Sequence, residues 1–265
     1  MTRLAVDAVL LLAKETSEHA IKLNRGLPTQ SEDGIVLDRT ACVPHVSLAM
    51  GCVRENDVPA IAGILEGLAL GRPPLNLVFT GLHARTSRSG EWISSLEIAP
   101  SPDLRSLHEL VMERAAPYFA RDAEPDMFVD PPSITESTVW WVNHYRTASS
   151  FDRFWPHITL GIGTLPEGTP WPTRGAASKL ALCHLGHRCT CRAILFETPL
   201  GPRGTSGASG SSSPSGYGTC SAAPLEPVQE WSDARRKEVL RACRGVLQYA
   251  PTRTVSTQGR LTTQL

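Results

Sequence analysis

The chain has 265 residues, 41% of them hydrophobic, and its 26 basic and 26 acidic side chains cancel to zero net charge. That length can bury one good core or two small ones. The charge balance excludes a global field that would draw in nucleic acid, so any acidic ligand must be held by a local site. Seven cysteines, odd in number and irregularly spaced, fit a reducing, cytoplasmic compartment.

Residues 4–12 form an apolar run that reads as a buried first strand. The Arg-led opening "MTRLAVDAVLLLAKE" has the outline of a signal sequence, but Asp7 interrupts the apolar stretch and no clear small-residue cleavage site follows. The run is also too short to span a bilayer, so no membrane association is expected. "ETSEHAIKLNRGL" then reads as a helix with Ala20, Ile21 and Leu23 on its apolar stripe, and the polar loop "PTQSEDG" leads into a second strand. "RENDVPAIAGILEGLAL" is a second helix. Asn56 or Asp57 can cap it, Pro59 suits its first turn, and Ile61, Ile64, Leu65 and Leu68 face the core. "NLVFTGLHA" and "EWISSLEIAP" alternate like neighbouring strands joined by a Ser/Arg/Gly turn. "SPDLRSLHELVMERAAPYF" is a capped third helix and "SITESTVWWVNHY" a fourth. "SKLALCHLG" reads as a late strand that "CTCRAILFE" extends or follows.

The character changes at residue 201. "GPRGTSGASGSSSPSG" has nothing to bury, so residues 201–225 are expected to be a flexible Gly/Ser-rich linker after a domain spanning 1–200. Residues 226–265 combine an expected helix (apolar positions Trp231, Ala234, Leu240 and Leu247) with an expected disordered tail, whose last fifteen residues hold no acid and two arginines. A lone helix is marginal in water, so this one is expected to dock on the domain or to take a protein partner.

One nine-residue pattern occurs twice: "VPHVSLAMG" at 43–51 and "WPHITLGIG" at 155–163. Proline, histidine, leucine and the final glycine coincide. In a strand, residues two apart share a face. Each copy therefore offers an imidazole beside a hydroxyl, His45 with Ser47 and His157 with Thr159, while Val46, Leu48, Ile158 and Leu160 point into the core. Two imidazoles and two hydroxyls converging on one point suit phosphodiester chemistry. One histidine takes a proton from the attacking hydroxyl or water, and the other gives one to the leaving oxygen. The hydroxyls donate to the non-bridging oxygens, where charge builds up. No metal and no cofactor is required, in keeping with the lack of a carboxylate cluster near either motif.

These paired His-apolar-Ser/Thr-apolar tetrads resemble the two-histidine (2H) phosphoesterase superfamily, closest to its 2′-5′ RNA ligase and cyclic phosphodiesterase branch. The resemblance covers residues 4 to about 196. It implies an α+β fold of two antiparallel-sheet lobes, with helices outside and a central cleft. It also implies action on RNA ends or small nucleotides, such as 2′,3′-cyclic phosphates or 2′-5′ linkages. Carried over residue by residue, it covers only His45, Ser47, His157 and Thr159. The expected molecule is thus a monomeric, metal-independent phosphoesterase with His45 and His157 as the acid/base pair. The alternative is a non-catalytic module that holds an AMP-like nucleotide in the same cleft.

Other features carry competing readings. Cys183, His184, His187, Cys189 and Cys191 invite a zinc site, yet they lack the two-residue spacing of zinc ribbons and read more simply as strand. Arg188 and Arg192 could line the cleft and hold phosphate, or lie on the surface. Trp140, Trp141 and Tyr145 could stack a base, or divide between core and surface. His83, His108 and His144 have no evident partner in the sequence.

Overall fold

In the computed structural model, which describes residues 2–28 and 34–201 together with Lys237, the elements run in the following order. They are β1 (Arg3–Leu12), α1 (Lys14–Arg25), β2 (His45–Arg54), α2 (Val58–Ala69), β3 (Leu75–Thr86), β4 (Trp92–Ile98), α3 (Pro102–Arg114), α4 (Glu136–Ala148), β5 (His157–Ile162), β6 (Arg174–Leu185) and β7 (Cys191–Pro199), with single 3₁₀ turns between several of them. Apart from Gly201 and Lys237, the expected linker and C-terminal helix lie outside the described residues.

The strands form an α+β fold around antiparallel pairings, in the order β2-β1-β6-β3-β4-β5, with β7 also on β6. β1 is buried along almost its whole length because both its faces are covered: Leu4, Val6, Ala8 and Leu10 pack in the main core, and Ala5, Val9 and Leu11 in smaller apolar clusters on the other face. This explains its near-continuous apolar run, which a half-exposed strand would interrupt at every second residue. β3 divides its pairing: Leu75–Val78 run along β6, while Phe79–Thr86 run along β4. One arm of the sheet is therefore β2-β1-β6-β7, the other is β3-β4-β5, and β3 belongs to both.

Helices cover the apolar faces. α3 and α4 pack on β2, α2 on β6 and β7, and α1 on β5 and β6. Ser101 caps α3 by accepting from the Leu104 N–H at 3.3 Å, and Thr135 caps α4 by accepting from the Thr138 N–H at 3.3 Å. The cap expected for α2 is not formed. Asp57 sits before the helix in a helical conformation, and its carboxylate instead accepts from Arg54 Nε at 2.7 Å. The late strand also begins earlier than the apolar pattern suggests, at Arg174, because its first residues pair with β3 rather than entering the core.

Candidate functional site

β2 and β5 end the two arms and share no ladder, yet they pack against each other. Each opens on a repeat histidine. Val46, Leu48, Ile158 and Leu160 are fully buried, and the intervening His45, Ser47, His157 and Thr159 are half-buried. All four line one cavity of about 330 Å³. The structure thus brings together every residue singled out from the repeat.

The repeat also fixes the imidazoles. His45 Nδ1 lies 2.8 Å from the Val43 carbonyl, and His157 Nδ1 lies 2.9 Å from the Trp155 carbonyl. A carbonyl can only accept, so in the neutral ring the proton sits on Nδ1 and the Nε2 lone pair is left bare. Pro44 and Pro156 stand between each histidine and its carbonyl, and proline holds the residue before it extended. The shared glycine serves two different ends. A Cβ at Gly51 would lie 2.6 Å from the Phe119 Cβ, whereas Gly163 has φ +99°.

Burial lowers the proton affinity of both imidazoles. His45 is brought down to about 4, with the neighbouring His157 a smaller contributor and the Val43 hydrogen bond opposing. For His157 burial again dominates; the Trp155 carbonyl and Glu97 work against it, and Arg85 adds to it. Glu97 faces His157 directly in the β4–β5 register.

Several residues of this region were not flagged by sequence pattern. Trp155 stacks on His157 with ring centroids 4.1 Å apart, and the Arg85 guanidinium lies 4.5 Å from the Trp155 ring. Arg85 also donates to Glu97 at 2.8 Å. Trp155 Nε1 and Ser95 Oγ are buried without hydrogen-bond partners, and both residues line the cavity. Asp7, one strand in from β2, is fully buried with its Oδ2 3.9 Å from His45 Nε2. The signals were present but faint: Trp155 sits inside the repeat, and Asp7 breaks an otherwise apolar strand.

The secondary candidates separate. Arg188 lines the cavity, but its guanidinium makes a two-pronged pair with Glu91 at 2.6 and 2.8 Å. Arg192 turns elsewhere, 4.0 Å from Asp130. Trp141 lines the cavity, while Trp140 stacks on His144 at 4.5 Å and under Arg88 at 4.0 Å. Tyr145 reaches the cavity wall, but its hydroxyl donates to the Ser47 carbonyl at 3.1 Å, so it braces β2. Among the described residues no cluster of three or more His, Cys, Asp or Glu is placed to hold a metal ion. Cys183 and Cys191 are buried strand thiols, and His184 bonds the Met127 carbonyl at 2.9 Å. His83 lies 3.6 Å from Glu97.

Residues 37–181 match the family model described as the 2′-5′ RNA ligase superfamily. The chain belongs to that superfamily. The matched stretch spans both copies of the repeat. Among solved structures, the chain is similar to TT0787 of Thermus thermophilus (14% identity, TM-score 0.45, covering 76% of this chain and 100% of that one). It is also similar to E. coli LigT complexed with NADP+ (18% identity, TM-score 0.43, covering 75% and 98%) and complexed with 3′-AMP (17%, 0.42, covering 76% and 99%). A comparison with curated proteins finds no significant match. Among the described residues, no helix of this superfamily member is long and apolar enough to cross a membrane.

Proposed function

We propose that this protein is a metal-independent phosphoesterase acting on nucleotide or RNA-end phosphodiesters, a 2′,3′-cyclic phosphate or a 2′-5′ linkage, in a cleft between two lobes. The observation that carries the reading is the pair of imidazoles on one cavity, each with Nδ1 bonded to a backbone carbonyl and Nε2 bare. In this reading one Nε2 takes the proton of the attacking water or hydroxyl, and the other, protonated, passes its proton to the departing oxygen. Ser47 and Thr159 donate to the non-bridging oxygens as charge grows there. No resident cofactor takes part in the scheme.

A second reading has its own support. Burial lowers the proton affinity of both histidines, and acid catalysis needs one of them charged. A cleft with two neutral imidazoles can hold an AMP-like nucleotide without cleaving it. A bound phosphodiester tips the balance toward catalysis, because its negative charge favours the imidazolium. The test is turnover of a panel of 2′,3′-cyclic nucleotides and 2′-5′-linked dinucleotides by purified protein, alongside His45→Ala and His157→Ala. Loss of about 10²- to 10⁴-fold in each variant is expected for a general acid or base. Nucleotide binding with no turnover by the wild type would favour the second reading.

A further inference from the structure

The buried carboxyl of Asp7 has no part in the chemistry above. It sits on β1 opposite Met50 of β2 and Cys183 of β6, so it shares the strand face that carries His45 and Ser47. Neither oxygen has a hydrogen-bond partner within normal range. Its nearest donors are the Ser47 hydroxyl and the backbone N–H groups of Leu48 and Ala49, which only partly offset the cost of burial. The groups that face it are His45 from β2, Tyr145 from α4, Cys183 from β6, Cys189 from the β6–β7 turn and Cys191 from β7. None of these is a cation at neutral pH. Burial lowers His45, raises Tyr145, Cys189 and Cys191, and leaves no positive partner for a carboxylate.

We propose that Asp7 is a positioning residue which, as an uncharged acid, keeps the cleft floor open to an anion at His45 and Ser47, and which closes that floor to anions when it ionises. The proposal rests on the reading of the cleft as a phosphate site. It follows from two consequences of the proton. A neutral carboxyl places no charge 3.9 Å behind His45 Nε2, where an ionised one would repel an anion seated in the cavity. The neutral acid also makes no demand on the Ser47 hydrogen, which stays free for the ligand. A carboxylate can only accept, and would take that hydrogen for itself. The same residue that interrupts the apolar opening strand thereby makes anion affinity depend on pH from beneath the site. It does not touch the ligand.

Inorganic sulfate is a suitable probe, because its charge does not change across the neutral to alkaline range. In wild-type protein, sulfate affinity is expected to fall at least about tenfold as Asp7 ionises, given one unit charge within several ångströms at intermediate dielectric. Asp7→Asn keeps the shape and a donor but not the titration, so its affinity should match the neutral wild type and stay level into alkaline pH. Infrared difference spectroscopy on the wild type provides a check that needs no variant. The protonated carboxyl stretch should persist at neutral pH, vanish at alkaline pH, and persist to higher pH with sulfate bound, because linkage is reciprocal. An Asp7→Asn protein with the wild-type pH dependence, or a carboxyl already ionised at neutral pH, overturns the role of Asp7 while leaving the phosphate site standing. Absence of sulfate and nucleotide binding at every pH overturns the phosphate site itself and this proposal with it.

Discussion

His108 and Phe151 are joined by a 2.9 Å hydrogen bond in which the Phe151 backbone N–H donates to Nε2 of the buried imidazole. The other ring nitrogen reaches the Leu48 carbonyl at 2.9 Å, and the ring stacks on Phe154 with centroids 3.9 Å apart. A histidine of α3 therefore ties the strand of the first repeat to the segment that leads into the second. His108→Ala should cost about 2–4 kcal/mol, because it opens a cavity and strands a buried N–H and a carbonyl. Urea denaturation measures the loss, and sulfate or nucleotide affinity should weaken along with it as the two repeats lose their common brace.

Acid should destabilise this protein well before its surface carboxylates titrate. Burial takes both His45 and His108 from 6.5 down to about 4, so the unfolded chain binds more protons between those values. The stability they contribute is full above 6.5 and is lost as pH falls through that window toward 4. Asp7 acts in the opposite sense. Its folded proton affinity is raised, so its contribution is present at low pH and is lost as pH rises through its folded value. Melting temperature against pH should climb from acid to a maximum near 6.5 and then decline until Asp7 ionises in the folded state, and Asp7→Asn should remove its share of that decline. An alkaline limb unchanged in the variant would assign the decline to other groups.

The pH–rate profile of the free protein should be bell-shaped with its maximum below 6.5. One imidazole must be charged and the other neutral, and burial lowers both from 6.5. Measurement of kcat/KM against a 2′,3′-cyclic nucleotide checks this. EDTA should leave that rate unchanged if the imidazoles carry the proton transfers. Complete loss with EDTA and rescue by one metal ion would point to metal-assisted hydrolysis instead.

Gly51→Ala should destabilise the fold by about 1–3 kcal/mol, in the range of an overpacked core. The added methyl would lie 2.6 Å from the Phe119 Cβ and 3.0 Å from the Ala120 carbonyl oxygen. A pair of backbone hydrogen bonds between Cys52 and Ala120 holds that approach, so relief requires the strand to part from its neighbour. Thermal unfolding of the variant reads the cost. A melting temperature equal to wild type would mean that the 119–120 segment yields freely.

The repeat was legible because it couples a local rule to a long-range one. Strand alternation sorts His45 and Ser47 from Val46 and Leu48 without any knowledge of the partner strand, and the second copy implies a shared site. The helices were legible for the same reason, since apolar spacing and caps such as Ser101 are local. Asp7 was visible as an interruption, but its nearness to His45 depends on the β1–β2 register, which no short stretch encodes. His108 shows the same limit: its two partners, Leu48 and Phe151, lie on different elements far from it in the chain. The expected cap at Asp57 failed to a nearby competitor, the guanidinium of Arg54.

β3 passes from β6 to β4 between Val78 and Phe79 without leaving the sheet. A strand bonded on both sides of the crossing cannot swivel as a loop would; it can only twist or bend, and every degree is shared among the ladder bonds of both arms. The spacing between the two histidine strands then depends on the coil of this ribbon as well as on their direct packing and on the His108 bridge. A larger side chain at buried Phe79, beside the crossing, would strain both ladders at once.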